Sequence, residues 1–251
     1  MAEILLDVQG LTKSYGGLTA TDNVDLQVHK NEVNAVIGPN GAGKTTLVSQ
    51  LTGEIAPDAG RIFFAGQDIT ALPPYKRSHL GIARSFQITS VFQDLTILEN
   101  ASLAVQAHSG HSFQFLKPAR EEKALIDPAM EVLERVGLAD RAHLPARAVS
   151  HGEHRQLEIA MALASKPRML FLDEPMAGMG PEESARMTTF LQSIKGTVTI
   201  LLIEHDMDAV FALADRLTVL VYGKIIAMGA PEDIRGNAEV RQAYLGEGED
   251  A

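Results

Sequence analysis

The sequence predicts an α/β fold that is interrupted by an all-helical insertion. Three predominantly apolar runs, at residues 33–37, 169–172 and 198–203, are typical of strands buried in a parallel sheet. A glycine-rich stretch follows the first run and acidic residues follow the other two, as expected where strands end at a ligand crevice. Between about residues 88 and 165, apolar residues instead recur at helical spacing.

The composition bounds the function class. The chain has 22 basic and 32 acidic residues, a net charge of −10, so it lacks the basic surface of a general nucleic-acid binder. With no cysteine, it forms neither a disulfide nor a cysteine-ligated zinc site. No window reaches the roughly 18 apolar residues of a membrane span. The first residues lack the basic region of a secretory signal, so work at a membrane is expected to require docking on another protein.

The elements of the α/β part follow from local patterns. A helix at 45–51 is expected to end at the C-cap glycine Gly53, and a helix opened by Pro181 is expected to bury one apolar face. That face consists of Met187, Phe190, Leu191 and Ile194. Further strands are predicted at 4–8, 24–28, 61–65, 82–86 and 217–222, a turn at 13–17, a helix at 207–214, and a frayed tail after residue 245.

The insertion is predicted to contain three amphipathic helices. Thr96 and Glu99 form a predicted capping box for the first helix, and the others are expected at 128–136 and around 157–164. The inward face of the first helix is Ile97, Leu98, Ala101, Ala104 and Val105. We therefore expect one domain over residues 1–251, with a core of 1–87 and 166–251 and a helical part at about 88–165.

Residues 38–46 match the P-loop pattern G-x-x-x-x-G-K-[ST] between a predicted strand and a predicted helix. Glycines let the backbone turn tightly round an anion, and the helix N-terminus adds its positive dipole end. Lys44 is expected to reach the β- and γ-phosphates and the Thr45 hydroxyl to bind Mg²⁺. The alternative is a glycine-rich turn that matches by chance. The expected nucleotide-binding residues are Gly38, Pro39, Asn40, Gly41, Ala42, Gly43, Lys44, Thr45 and Thr46.

Two acidic residues follow the apolar run at 169–172. Asp173 stands where P-loop proteins carry the aspartate that holds Mg²⁺. Glu174 is expected to point toward the water that attacks the γ-phosphate, as a general base. The alternative is that both residues only cap the next turn, and the upstream P-loop favours the functional interpretation.

The order of these motifs resembles the nucleotide-binding subunit of an ABC transporter over almost the whole chain. The resemblance rests on Tyr15, the P-loop, Gln87, residues 150–153, residues 172–175 and His205. It implies a RecA-like ATPase core with an antiparallel β subdomain and an inserted helical subdomain. It also implies that Tyr15 stacks on adenine, that Gln87 reaches Mg²⁺ and senses the membrane subunit, and that His205 contacts the γ-phosphate. Taken alone, these three residues are a loop tyrosine, an uninformative glutamine and a structural histidine.

Ser150, His151, Gly152 and Glu153 occupy the place of the family's signature motif. The resemblance implies that this motif faces the γ-phosphate bound by a second subunit. Ser150 and Glu153 also form a predicted capping box, and a helix N-terminus with a serine hydroxyl suits an anion. The motif departs from the usual Leu-Ser-Gly-Gly-Gln at Val149, His151 and Glu153.

Two further features qualify this region. His151 and His154 stand three residues apart like a metal pair, but no third ligand is apparent. Residues 176–180 lie where the family has its D-loop, and Gly180 stands where an acidic or amide residue is usual. We expect this glycine to alter communication between the two sites of a dimer.

Weaker signals concern the branch of the family. Residues 84–89, 157–160, 203–207 and 243–246 resemble ATPases of importers for branched-chain and other hydrophobic amino acids, a branch that includes urea and short-chain amide importers. The ending at 244–246 also resembles a lipopolysaccharide-type exporter ATPase. A soluble ABC protein of DNA repair or translation is a third hypothesis, although those usually carry two cassettes or a long coiled-coil insertion.

The importer hypothesis implies cofactors, partners and a location. The cofactors are ATP and Mg²⁺, and the location is peripheral, on the cytoplasmic side of the membrane. The partners are a second ATP-binding subunit, identical or a sister, transmembrane permease subunits and, indirectly, a periplasmic substrate-binding protein, with no nucleic acid. The permease is expected in the groove between the Gln87 loop and the helix from Thr96, where Val91, Phe92 and Leu95 are exposed candidates. The alternative is that Phe92 packs under the helical insertion.

Overall fold

The computed structural model describes residues 3–85, 91–109 and 122–245. Its strands are β1 Ile4–Tyr15, β2 Leu18–His29, β3 Val33–Ile37, β4 Ala59–Phe64, β5 Gln67–Asp68, β6 Ile82–Arg84, β7 Met169–Asp173, β8 Thr199–Ile203, β9 Arg216–Val221 and β10 Lys224–Gly229. Its helices are α1 Lys44–Thr52, α2 Pro74–His79, α3 Ile97–Ser109, α4 Lys123–Arg135, α5 His151–Ala164, α6 Pro181–Ile194, α7 Met207–Leu213, α8 Pro231–Gly236 and α9 Ala238–Leu245.

The described strands form two sheets, which confirms the predicted α/β fold class with its antiparallel part. Four strands, in the order β2-β1-β4-β5, pair antiparallel. The other sheet has the order β10-β9-β3-β8-β7-β6, and only its edge strand β10 runs antiparallel. Every residue of β3, β7 and β8 is buried, as the predominantly apolar runs predict.

The first two strands are longer than the sequence predicts. The expected turn at 13–17 narrows to Gly16 and Gly17, because Lys13 pairs with Thr21 and Tyr15 pairs with Leu18. The second half of β1 is mostly polar and does not alternate regularly with apolar residues. It still pairs with β2, because register shifts between Val8 and Ser14 accommodate the irregular spacing.

Helix α1 lies between the two sheets. Its apolar residues Leu47, Val48 and Leu51 belong to a buried cluster that contains residues of both sheets, among them Leu26 of β2 and Phe171 of β7. This packing fixes the position of the P-loop at the N-terminus of α1. The predicted C-cap is confirmed, because Gly53 adopts φ 86 and ends the helix.

Helices α3, α4 and α5 lie between β6 and β7 in the chain. The predicted capping box of α3 is confirmed, with Thr96 N donating to Glu99 Oε2 at 2.8 Å and Glu99 N donating to Thr96 Oγ1 at 3.1 Å. The start predicted for α4 is wrong, because the helix begins at Lys123 and contains Pro128. The burial of Leu125 in the core stabilises this first turn despite the proline that follows it.

Within the described ranges, no helix is both long and apolar enough to cross a membrane.

Candidate nucleotide-binding site

The P-loop joins β3 to α1 and is held by backbone contacts on two sides. Gly43, the N-cap of α1, adopts φ 103, and a Cβ there would lie 2.0 Å from the carbonyl oxygen of Ala20 in β2. Only glycine fits this close approach. On the other side, Gly223 N donates to the carbonyl of Ala42 at 2.9 Å, which ties the loop to the β9–β10 turn.

The loop concentrates positive charge. Lys44 is buried, and its Nζ donates to the carbonyl oxygens of Gly38 at 2.5 Å and Pro39 at 3.0 Å. The first turn of α1 carries no acidic residue, so the positive end of its dipole is not cancelled locally. A fixed ammonium group beside an uncapped helix N-terminus favours a bound anion.

Asp173 lies at the same sheet edge as the P-loop. It is the last residue of β7, and its register partner Ile203 in β8 also pairs with Val36 of β3. The carboxylate is only 2% exposed and accepts a hydrogen bond from Arg84 Nη2 at 2.9 Å.

Arg84 also reaches the P-loop helix, because its Nη1 donates to Ser49 Oγ at 3.3 Å. Ser49 lies one turn beyond Thr45 on α1, so Arg84 ties Asp173 to the helix face that carries Thr45. The Thr45 hydroxyl and the Asp173 carboxylate are hard oxygen donors, which suits Mg²⁺. The third predicted ligand, Gln87, lies outside the described residues.

Glu174 and His205 meet directly. Glu174 Oε1 lies 3.0 Å from His205 Nε2, and both side chains are partly exposed. Glu174 adopts φ 49, a left-handed conformation that is uncommon for a residue with a side chain. Such outliers cluster at functional sites, where the surrounding structure holds them in place. The two neighbouring carboxylates have different partners, Arg84 for Asp173 and His205 for Glu174.

The sequence did not predict a role for Glu204, whose side chain binds the backbone around Glu174 and His205. Its carboxylate is 4% exposed and accepts hydrogen bonds from the backbone N–H groups of Met176 at 2.8 Å, His205 at 3.0 Å and Asp206 at 3.5 Å. Burial raises the pKa of Glu204, and these bonds oppose the rise. The available signal was an acidic residue directly after the buried run at 198–203.

Residues 150–153 begin α5. The predicted capping box is confirmed, with Ser150 N donating to Glu153 Oε2 at 2.8 Å and Glu153 N donating to Ser150 Oγ at 3.2 Å. A second acid, Glu183 of α6, accepts from the Ser150 hydroxyl at 3.3 Å. A Cβ at Gly152 would lie 2.7 Å from this carboxylate, so a larger residue there would require the Glu183 side chain to move.

The histidines of this segment have separate surroundings. His154 Nε2 bonds the carbonyl oxygen of Ala146 at 2.6 Å, and His151 lies beside Gly178 in the loop before α6. In the part of the chain that the structure describes, no cluster of three histidine, cysteine or acidic residues has the arrangement of a metal site. Gly180 is the N-cap of α6, and its N–H donates to Glu183 at 3.4 Å.

Two predicted contact residues are exposed. Tyr15 ends β1 with about half of its surface accessible, and Lys13 Nζ lies 5.6 Å from its ring centre. Phe92 is 58% exposed, so it does not pack under the insertion. Its backbone is fixed by Asn100, whose side chain accepts from Phe92 N at 2.9 Å and donates to Phe92 O at 3.0 Å.

The other two docking candidates differ from expectation. Val91 is wrongly predicted as exposed, because it is 7% exposed and packs in the same core as Ile97 and Ala101. Leu95 is half-buried rather than exposed. Of the three candidates, Phe92 alone presents a large apolar surface.

A parallel sheet with a P-loop at its carboxyl edge and an acidic pair two strands away defines a P-loop nucleotide-binding protein. A family model described as ABC transporter matches residues 21–177, and one described as branched-chain amino acid ATP-binding cassette transporter matches residues 224–250. The chain belongs to the ABC transporter family. It is an ATP-binding subunit of this family, an ATPase whose cassette binds nucleotide.

Individual relatives are similar in sequence to this chain over nearly its full length. The high-affinity branched-chain amino acid transport ATP-binding protein BraF of Pseudomonas aeruginosa is 40% identical, with 98% of this chain and 100% of BraF covered. The corresponding protein LivG of Escherichia coli is 39% identical with the same coverage.

Two solved structures share the fold. A nucleotide-free ATP-binding cassette from an ABC transporter has a TM-score of 0.84 at 30% identity, covering 96% of this chain and 98% of its own. The ADP conformation of an ATP-binding cassette of an ABC transporter has a TM-score of 0.85 at 31% identity, covering 97% and 99%.

Proposed function

We propose that the chain powers the uptake of branched-chain or closely related hydrophobic amino acids as the ATPase subunit of an ABC importer. The observation that carries this proposal is the match at residues 224–250, which supplements full-length similarity to BraF and LivG. These similarities favour the amino-acid importer over the urea or amide importer and over the exporter. We further propose a core of 1–87 and 166–251 around a helical subdomain at about 88–165.

ATP would bind along the edge formed by the P-loop. Lys44 and the loop N–H groups would bind the phosphates, and the exposed ring of Tyr15 would stack on adenine. Mg²⁺ would be held by Thr45, Gln87 and Asp173, and when bound it neutralises charge on the phosphate oxygens. The supporting geometry is the Arg84 bridge that places Asp173 beside the Thr45 face of α1.

Hydrolysis would depend on Glu174 and His205. Glu174 accepts the proton of the attacking water, and its strained backbone fixes the direction of the carboxylate. His205, 3.0 Å away, orients this carboxylate and contacts the γ-phosphate through its imidazole. The Glu204 carboxylate accepts hydrogen bonds from the backbone N–H groups of Met176 and His205, so Glu174 and His205 are held in position before nucleotide binds.

ABC ATPases act as dimers together with transmembrane permease subunits. We propose that Ser150, His151, Gly152 and Glu153 of one chain face the nucleotide of the second ATP-binding subunit. The chain would be peripheral on the cytoplasmic side of the membrane, and a periplasmic binding protein would deliver the substrate to the permease. Phe92 would dock the permease, because its exposed ring stands on a backbone that Asn100 holds rigid.

The experiment is uptake of labelled leucine by cells that lack this chain and carry it back as a variant. The parent chain is expected to restore uptake, whereas Phe92→Asp is expected to lose uptake and co-purification with the permease while still binding ATP. Tyr222→Asp is the matched control, since Tyr222 is 83% exposed and its φ of 46 suits aspartate. Leucine uptake that persists without the chain contradicts the transport function, and full uptake with Phe92→Asp places the docking surface elsewhere.

A further inference from the structure

Arg84 connects the predicted Mg²⁺ ligand with a second carboxylate. It is the last residue of β6, and its side chain is only 8% exposed. Nη2 donates to Asp173 Oδ2 at 2.9 Å, whereas Nη1 donates to Glu54 Oε2 at 2.6 Å and to Ser49 Oγ at 3.3 Å. The guanidinium group therefore lies between two acidic residues, beside the helix that follows the P-loop.

The contact between Arg84 and Asp173 matters for stability because both side chains are buried. Asp173 is 2% exposed, so water does not solvate its charge effectively. A buried carboxylate without a cationic partner strongly destabilises a fold, whereas an exposed ion pair contributes little. In the structure described here, Arg84 supplies that partner for Asp173.

The second carboxylate gives Arg84 an alternative partner. Glu54 follows the C-cap of α1, and its side chain is 35% exposed, so it is better solvated than Asp173. The planar guanidinium group presents separate nitrogens to the two acids. If the Asp173 carboxylate turns toward a bound cation, Arg84 keeps its contacts to Glu54 and Ser49, and no buried arginine is left without an acceptor.

We propose that Arg84 is a positioning residue that acts as the resident counter-ion of Asp173 and so sets the Mg²⁺ requirement of nucleotide binding. Before the metal ion arrives, Arg84 holds the Asp173 carboxylate in place and offsets its negative charge, which would otherwise repel the triphosphate. The inference rests on the proposed role of Asp173 as a Mg²⁺ ligand.

The test measures the affinity of the purified full-length chain for a fluorescent ATP analogue, once with EDTA and once with Mg²⁺. The quantity of interest is the ratio of the dissociation constant in EDTA to that in Mg²⁺. Arg84→Gln is expected to raise this ratio about tenfold, because metal-free nucleotide then meets an uncompensated buried carboxylate. The variant is also expected to melt several degrees below the parent in EDTA and to regain most of this difference with Mg²⁺ and nucleotide.

Three control variants separate the possible outcomes. Arg61→Gln removes an exposed arginine of β4 and is expected to leave the ratio unchanged. Glu54→Gln leaves the Arg84–Asp173 pair in place, so its ratio is expected to stay at or below that of the parent. Asp173→Asn tests the premise, because a ratio equal to the parent's shows that Asp173 does not bind the metal ion.

The inference is overturned if Asp173→Asn lowers the ratio, as the premise requires, while Arg84→Gln leaves it at the parent value. It is also overturned if Glu54→Gln raises the ratio as much as Arg84→Gln, because the effect then reflects general disturbance of this corner. If Arg84→Gln does not fold, Arg84→Met replaces it, because methionine keeps an apolar stem of similar length and removes the positive charge. A raised ratio in this variant supports the inference, and an unchanged ratio contradicts it.

Discussion

Glu174 keeps an unfavourable backbone conformation because its neighbours hold the chain on both sides. Its own N–H donates to the carbonyl of Ile203 at 2.9 Å, and two residues later Met176 N–H is bound by the buried Glu204 carboxylate. The same carboxylate binds the N–H of His205, which contacts Glu174. A single buried acid thus fixes the two side chains that the proposed chemistry requires.

Lys44 and Asp173 make separable contributions to nucleotide binding. Lys44→Ala is expected to weaken ATP binding at least about tenfold, because it removes a charge-assisted contact to the β/γ-phosphates. Asp173→Asn is expected to raise the Mg²⁺ concentration needed for binding instead. Equilibrium titration with a fluorescent ATP analogue measures both, with the exposed Lys30→Ala as the control. Parent-like affinity in Lys44→Ala would show that the P-loop assignment is wrong.

Glu158 makes stability depend on pH. Burial raises its pKa above the ordinary value of 4.5, and the hydrogen bond from Arg155 Nη1 at 3.0 Å lowers it only in part. Because the folded chain holds this proton more tightly than the unfolded chain, the associated stability is present below pH 4.5 and is lost as pH rises through the raised pKa.

Glu158→Gln keeps an acceptor for Arg155 but does not titrate. The free energy of unfolding of the parent, minus that of Glu158→Gln, is therefore expected to fall as pH rises above 4.5 and through the raised pKa of Glu158. Denaturant melts of both proteins across this range measure it. A difference that stays constant or rises with pH contradicts the assigned environment of Glu158.

At the residue level, site residues could be predicted where a motif carries its own spacing. The P-loop, the acidic pair and the histidine after β8 were predicted in this way, and the structure has each of them directly after a strand. Arg84 and Glu204 were missed as structural partners, because their importance comes from contacts 89 and 28 residues away in the chain. No local pattern encodes such contacts.

At the scale of elements, helices with one apolar face were predicted well. The four predicted inward residues of α6 are its buried residues, and the capping boxes of α3 and α5 form as expected. The short elements β5 and α2 were not predicted, since two to six residues carry too little periodicity. The early start of α4 was missed because tertiary burial outweighs the local preference of proline for a helix start.

The helical insertion is expected to depend on the packing of α4. Leu133→Ala removes a fully buried side chain from the core that α4 shares with α3 and α5, so the free energy of unfolding is expected to fall by about 2–5 kcal/mol. Leu103→Ala on α3 is the control, since that leucine is 38% exposed and its loss is expected to cost much less. Equal destabilisation in urea melts would contradict the packing described for α4.

At the scale of the whole molecule, the nucleotide-binding site depends on the order of the strands in the parallel sheet. The P-loop, Glu174 and His205 follow β3, β7 and β8, and these strands are neighbours in the order β3-β8-β7 although far apart in the chain. The sequence indicates that each strand ends in polar residues, but it does not specify which strands pair. That order depends on packing between α1 and the two sheets, which no single segment determines.

The most direct test of ATP hydrolysis at this edge is the turnover of Glu174→Gln. We expect the variant to bind ATP like the parent but to hydrolyse it at least about a hundredfold more slowly, because it lacks the general base. In the assembled transporter it should therefore hold two ATP-binding subunits together for as long as ATP is present. Single-turnover measurements with labelled ATP separate binding from hydrolysis. Near-parent turnover in Glu174→Gln would contradict the assignment of Glu174 as the base and the hydrolytic mechanism built on it.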